Sequence, residues 1–503
     1  MTQLKPRAGH AMIDLDEAMK LPLGAVPAFY ADRLGDRPAI IHGDAVMSWK
    51  ELERASNRFA NAMLARGVQK DDRVALVLPN CNELFALAFG IWKVGATPTT
   101  IAGKTPAGEM RGLLEVIEPR LAVFGNAALA AEVGGVTLDF ADLAPETPVA
   151  LKVTSHWKAI PSGGSTGRPK IIVARQPADF PIADSAFGLP LLGTVLNPGP
   201  LYHNGPFGMM SKALQRGNLV VSMVKFDPEE ALRLIEKYRA EFVAFVPTMM
   251  HRIWRLPPEV RTSYDLSSLK RLWHIAAPMP AWLKREWMDW LGPSLIWELY
   301  GGTENTGKTR INGEEWLRKP GSVGRPFDGA EVRIQDESGK LLGPNEIGEV
   351  FLMPTGGTQS TYFYLGGSPR LDKDGWDSLG DYGYMDEDGY LFLSDRRTDM
   401  ILCGGANVYP AEVEAALVEH PQIDDAVVIG LPDADLGARV HAVVRVSPGA
   451  EPQQVLSGLA EWLGPRLARY KIPRSFEETT EGLRDDAGKI RRSALRAARI
   501  GPQ

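Results

Sequence analysis

Apolar positions along this chain fall into two spacings, and the two alternate. Continuous apolar runs at 74–78 (VALVL), 219–224 and 242–246 are short enough to be buried strands. Beside them, 82–94 and 228–239 repeat apolar residues at helical spacing, with charged residues on the other face. Strand next to helix, repeated, predicts an α/β domain with largely parallel sheets, because parallel strands need a crossover that a helix supplies. From about Gly321 the pattern changes. Short runs at 330–335, 348–352 and 390–394, separated by Gly, Asp and Asn, predict a β-rich subdomain. At 395–399 five polar residues, DRRTD, separate two apolar runs. Beyond them the pattern predicts a helix over 410–418, strands over 426–429 and 440–446, and a helix over 451–463. The expected organisation is a large domain over 1–396 and a small α+β domain over 399–503.

Composition narrows the function classes. The 503 residues hold 56 Lys plus Arg against 62 Asp plus Glu, a net charge of −6, so no basic excess points to nucleic acid. A polyanionic ligand would have to be held by local cations. Cys81 and Cys403 are the only cysteines, which supports neither a disulfide framework nor a zinc set and fits a reducing cytoplasm. Lys5, Arg7, Asp14, Asp16, Glu17 and Lys20 leave no room for an apolar signal core. The longest charge-free run, 185–211, is broken by Gly and Pro, so no membrane span is expected.

Chemistry enters at 160–172, IPSGGSTGRPKII. Glycines and hydroxyl residues supply backbone N–H and O–H donors that can wrap phosphate oxygens, and Lys170 adds charge. A surface loop is the plain alternative. A Walker sequence does not fit, because Arg168 stands where its second glycine belongs and Ile171 follows Lys170. Gly163-Gly164-Ser165-Thr166-Gly167 does satisfy the G-x-S-x-G elbow of α/β-hydrolases, with Ser165 as nucleophile. That elbow needs a helix directly after the Ser, whereas Pro169 and a strand-like run follow here. A nucleotide-binding module without catalysis is a third alternative.

SGGSTGRPK resembles the phosphate-binding signature of the adenylate-forming (AMP-binding) superfamily, and five further segments follow in that family's order. ELYGGTE, 298–304, resembles its Tyr-Gly-x-Thr-Glu signature. Ala276-Ala277-Pro278 resembles the turn that lines the adenine pocket. The stretch 374–399, DGWDSLGDYGYMDEDGYLFLSDRRTD, is the longest match; GGANVYPAE, 404–412, and DAGKIRR, 486–492, complete the set. The resemblance spans roughly 44–492. It implies that Ser162, Gly163, Gly164, Ser165, Thr166, Gly167 and Lys170 hold ATP phosphates. It places Ala276, Ala277, Pro278, Glu298, Tyr300 and Gly301 at the nucleotide, Thr303 on the α-phosphate and Glu304 on Mg2+. Asp381 and Arg396 take the ribose, Gly404 and Gly405 serve the thioester step with coenzyme A, and Lys489 serves adenylation. Two departures stand out. The hinge position holds Thr398, followed by Asp399, where the family has Asp or Lys. Residues 484–487 replace the usual Pro and Thr before the Gly-Lys pair.

The resemblance further implies a free-standing acyl-CoA synthetase using ATP, Mg2+ and coenzyme A. His203 matches the aromatic or His at the mouth of the acyl pocket, and Phe207, Gly208, Trp273 and Gly302 are expected to line it. No Asp or Glu occurs between Asp184 and Asp227, so an amino-acid ammonium would find no partner near this segment. A hydrophobic, bulky or ring-bearing carboxylic acid is the expected substrate, as in ligases of bile acids and other ring-bearing carboxylates, with a medium- or long-chain fatty acid as runner-up. A homodimer is the one protein partner considered.

Overall fold

The structure is a computed structural model that describes residues 19–162, 169–182, 187–357, 361–394, 399–403, 406–433, 436–485, 488–490 and 492–500. The chain forms a mixed α/β protein whose contacts divide into two units. The first comprises Met1–Pro161, Val173–Val195 and Phe207–Val224; the second comprises Ser162–Ile172, Leu196–Pro206 and Lys225–Gln503.

In the first unit the apolar run at 74–78 becomes the strand Arg73–Val77, parallel to both Thr97–Thr100 and Leu121–Phe124. Leu219–Ser222 runs parallel to Pro38–His42, which turns back antiparallel as Ala45–Ser48. The helix Asn82–Lys93 is buried almost all round and packs on Trp49–Ala65. Trp49–Ala65 starts at a capping box in which the Ser48 side chain and Glu51 satisfy each other's backbone N–H groups. Lys93, which interrupts the apolar run of the sequence, is itself buried. Its ammonium donates to Glu53 at 2.7 Å and to Asn57 at 2.8 Å, as a buried charge must.

In the second unit Phe242–Phe245, Arg271–His274 and Ile296–Gly301 are parallel neighbours. The sheet then continues antiparallel through Lys308–Asn312 and Ser322–Pro326 into Leu391–Ser394, Asp377–Met385, Gly348–Met353 and Glu331–Gln335. This is the β-rich region expected after Gly321. Its core is Ile334, Val350, Leu352 and Leu391.

The C-terminal part of this unit has the expected α+β order. Its two long strands, Ile423–Asp433 and Gly437–Val446, exceed the predicted 426–429 and 440–446. Cross-strand pairing, which no local pattern encodes, carries Leu431 and Pro432 into the ladder opposite Arg439 and Ala438. Pro410–Val418 and Pro452–Leu463 cover one face, and Arg492–Ile500 covers the other through Leu495 and Ile500. An ionic knot ties it together: Arg492 bonds Glu414 at 2.5 Å and Asp399 at 3.2 Å, and Arg484 bonds Asp425 at 2.8 Å.

Candidate active site

Three parallel strands of the second unit end side by side. Phe242–Phe245 leads into Val246-Pro247-Thr248, Arg271–His274 into 275–278, and Ile296–Gly301 into Gly302-Thr303-Glu304. The crevice outside the carboxyl ends of parallel strands is where open α/β sheets bind ligands. The segment after Arg271–His274 is a strained turn. Ala276 has φ 73°, a left-handed conformation that costs a Cβ-bearing residue about 1–2 kcal/mol. Ala276, Ala277 and Pro278 leave this stretch of backbone with little side-chain bulk. Gly205 comes close to the same turn: a Cβ there would lie 3.0 Å from Ile275 Cδ1.

Tyr300, near the end of its strand, donates its hydroxyl to Asp381 Oδ2 at 2.8 Å. Asp381 is buried on Asp377–Met385, so the fold brings these two predicted nucleotide residues into contact. Glu304 lies just beyond. Its Oε1 accepts from the Tyr364 hydroxyl at 2.8 Å, and its Oε2 folds over Gly302, where a Cβ would fall 2.6 Å away. Gly302, expected in the acyl pocket, therefore packs against Glu304 and Leu379. Thr303, between Gly302 and Glu304 in the chain, is half-buried.

Lys489 follows a residue that packs on the first of these strand ends. Gly488 is buried with φ 76°, and a Cβ built on it would lie 3.5 Å from Thr248 Oγ1 and 3.8 Å from Val246 Cβ. The loop packs on the segment that follows Phe242–Phe245. Its conformation, put in question by the missing Pro and Thr, is set by Asp485. The Asp485 carboxylate accepts from Lys489 N–H at 2.9 Å, and its carbonyl accepts from Gly488 N–H at 2.8 Å. The Lys489 side chain is exposed.

Other expected residues lie differently. Glu298 does not face an open crevice. It is buried, and the Lys284 ammonium donates to its Oε2 at 2.5 Å, with His274 Nε2 at 3.4 Å. The cause is cross-strand register: Glu298 is paired with His274 over the helix Ala281–Leu291, whereas Tyr300, two residues on, lies beyond the end of the neighbouring strand. The Lys284 charge holds Glu298 below the usual carboxylate range, and burial holds His274 down at about 3. Trp273 is buried against Trp297, ring centres 5.5 Å apart. His203 lies against Tyr202, with ring centres 4.5 Å apart. In the first unit, Phe207 packs on Trp92 at 5.8 Å, and the absent Cβ of Gly208 makes room for Trp157. Lys170 begins the strand Lys170–Ala174, so the chain after the glycine loop is extended and supplies no helix for a hydrolase elbow. Ser162 ends Ala159–Ser162. Gly163, Gly164, Ser165, Thr166, Gly167, Arg396, Thr398, Gly404 and Gly405 lie outside the described residues.

A single carboxylate, that of Glu304, is the group here that could hold a metal. Among the described residues no three His, Cys, Asp or Glu converge, and none need to: Mg2+ is commonly held by one or two carboxylates together with substrate phosphates. The absent Cβ of Gly302 leaves the room that Glu304 Oε2 occupies, so a hard carboxylate oxygen is available and the residues fit that ion. Among the described residues no helix is long and apolar enough to cross a membrane.

Strand-end turns, an aromatic–carboxylate pair and a hard carboxylate, with a Gly-Lys loop packed on the first of these strand ends, suit a nucleotide-handling α/β enzyme. Residues 29–362 match the model of AMP-binding enzymes, and 412–488 match that of the AMP-binding enzyme C-terminal domain. The chain belongs to the AMP-binding enzyme family. It is 32% identical to a feruloyl-CoA synthase of an Amycolatopsis species, over 94% of this chain and 98% of the relative. It is 30% identical to a fatty acid–[acyl-carrier-protein] ligase of Streptomyces coeruleorubidus, over 93% and 95%. Among solved structures, o-succinylbenzoate CoA synthetase of Bacillus subtilis with its acyl-adenylate superposes with a TM-score of 0.81 at 25% identity, covering 96% of this chain and 100% of that one.

Proposed function

We propose that this protein is an AMP-forming carboxylate–CoA ligase. The observation that supports a role for Lys489 is the packing of its neighbour Gly488 on Val246 and Thr248, the segment that follows Phe242–Phe245. In the first half-reaction a substrate carboxylate oxygen attacks the α-phosphorus of ATP, the bond to the β-phosphate oxygen breaks, and pyrophosphate leaves. The carboxylate is ionised at neutral pH, so no general base is required. The work left to the protein is positioning and neutralisation of charge. Lys489 is assigned to the carboxylate and α-phosphate oxygens, Thr303 to the α-phosphate, Lys170 and the glycine loop to the outer phosphates, and Asp381 to the ribose. Glu304 would hold Mg2+, which when bound would neutralise charge on the leaving pyrophosphate. Glu298 is reassigned from the nucleotide to support of the strand that carries Tyr300. In the second half-reaction a thiol sulfur attacks the acyl carbonyl, the bond to AMP breaks, and the thiol proton passes to solvent.

The domain boundary is proposed at 396–399. The bond between Asp399 and Arg492 supports counting Asp399 with the small domain and Thr398 as the pivot. The acid is proposed to be apolar and ring-bearing. The carboxylate-free segment 185–226 and the relatives acting on ferulate and succinylbenzoate support this. A fatty acid is the second reading, favoured by the fatty acid ligase relative. Two free thiols, Cys81 and Cys403, support the cytoplasm as its location. The test is a panel of aryl, alicyclic and fatty acids with ATP and either coenzyme A or a holo-carrier protein, scored by AMP and pyrophosphate release. Aryl acids with coenzyme A should turn over fastest. Lys489→Ala should abolish pyrophosphate release while thioester formation from supplied acyl-adenylate persists. Equal loss of both steps would refute the role given to Lys489.

A further inference from the structure

The short strand Tyr362–Leu365 has no part in the reaction described above, yet it touches two pieces of the nucleotide machinery. Tyr364 donates its hydroxyl to Glu304 Oε1 at 2.8 Å. The Lys170 ammonium stands 5.6 Å from the centre of the same ring. Just past the strand, Gly367 lies against the Lys170 stem, so closely that a Cβ would sit 2.7 Å from Cδ and 2.9 Å from Cε. Tyr364 is itself fixed from the side. The Tyr362 ring meets it edge-on at 5.0 Å and is anchored by a 2.5 Å hydrogen bond from its hydroxyl to Asp377. Glu304 is thus confined twice, by Tyr364 on Oε1 and by the Gly302 backbone beneath Oε2.

We propose that Tyr364 is a positioning residue for the metal–nucleotide complex. By holding Oε1 it leaves Oε2 of Glu304, seated on Gly302, as the oxygen offered to a divalent cation. Its ring, with Gly367, aligns the Lys170 stem that delivers the ammonium to the phosphates. One strand therefore sets the relative placement of the two charges that meet the triphosphate. A hydrogen-bonded second shell of this kind fixes ligand orientation, and losing it typically weakens metal binding about ten- to a hundred-fold. The proposal rests on the assignment of Glu304 to the cation.

The test measures Mn2+ affinity by electron paramagnetic resonance, in the full-length enzyme with a non-hydrolysable ATP analogue, and separately the affinity for the analogue in EDTA. Tyr364→Phe should weaken Mn2+ about ten-fold or more and leave metal-free nucleotide affinity within about two-fold. Tyr364→His, which keeps a ring and an N–H donor, should recover part of the lost metal affinity. Gly367→Ala should do the reverse of Tyr364→Phe, weakening metal-free nucleotide binding through Lys170. In a Glu304→Gln background, Tyr364→Phe should add nothing. If Glu304→Gln weakens Mn2+ and Tyr364→Phe does not, or if Tyr364→Phe weakens both affinities equally, the positioning role is wrong. If Glu304→Gln itself leaves Mn2+ affinity unchanged, the metal assignment fails and takes this proposal with it.

Discussion

Removing the buried ammonium of Lys284 tests how the central strands are held. Lys284 and Glu298 have side chains 1% and 11% exposed and lie 2.5 Å apart, so water can screen little of their attraction. Lys284→Met keeps the apolar stem and removes the charge, leaving Glu298 uncompensated. Breaking a buried pair from one side costs about 3–5 kcal/mol, because the remaining carboxylate is desolvated without a partner. Replacing both ends, Lys284→Met with Glu298→Met, should bring stability back to within about 1 kcal/mol of the parent, since the desolvation cost goes with the charge. The single variant also has a pH signature. His274, 3.4 Å from Glu298, is held down by burial and in part by Lys284. Without Lys284, the folded protein gains a proton on Glu298 that the unfolded chain does not bind until lower pH. Stability rises as pH falls wherever the folded state binds more protons, so the deficit should be largest above neutrality and shrink towards pH 5. Urea unfolding of parent, single and double variants across pH 5–8 measures all three terms. A single-variant loss below about 1 kcal/mol, or a double variant no better than the single, would refute the buried-pair account. Tyr300 lies two residues along the strand from Glu298, so KM for ATP should also rise in the single variant.

Two further outcomes are expected. Ala276→Gly should stabilise the protein by up to about 1 kcal/mol in thermal unfolding, because it relieves about 1–2 kcal/mol of left-handed strain against the smaller entropic cost of glycine; Ala276→Val should destabilise it, and equal stability of the two would deny the strain. Burial, with the Glu304 charge contributing, raises Asp377 to about 6, above its unfolded value. The folded state then holds this proton more tightly, so stability should fall by about 3 kcal/mol as pH rises through 6, and Asp377→Asn should flatten that slope.

The sequence by itself determined much of this protein. The alternation of 74–78 with 82–94, and of 228–239 with 242–246, settled the class of fold, because helix and strand periods are properties of the local backbone. The glycine loop, ELYGGTE and the Gly488-Lys489 pair are contiguous runs, but each pointed to nucleotide chemistry only through its resemblance to one family's order of segments. The contact between Tyr300 and Asp381 was reachable only through the resemblance of both segments to one family.

Tertiary structure alone decided the rest. Glu298 stands next to Tyr300's segment in the sequence and looked like part of the nucleotide site, but sheet register turned it onto His274 and Lys284. Tyr364 carries no motif, yet it sits at the junction of Lys170 and Glu304. Asp485 replaces the missing Pro and Thr as the residue that shapes the Lys489 loop. In each case a side chain's role depends on which distant strand or helix faces it. That choice is made by packing and pairing over the whole chain, and no local spacing records it.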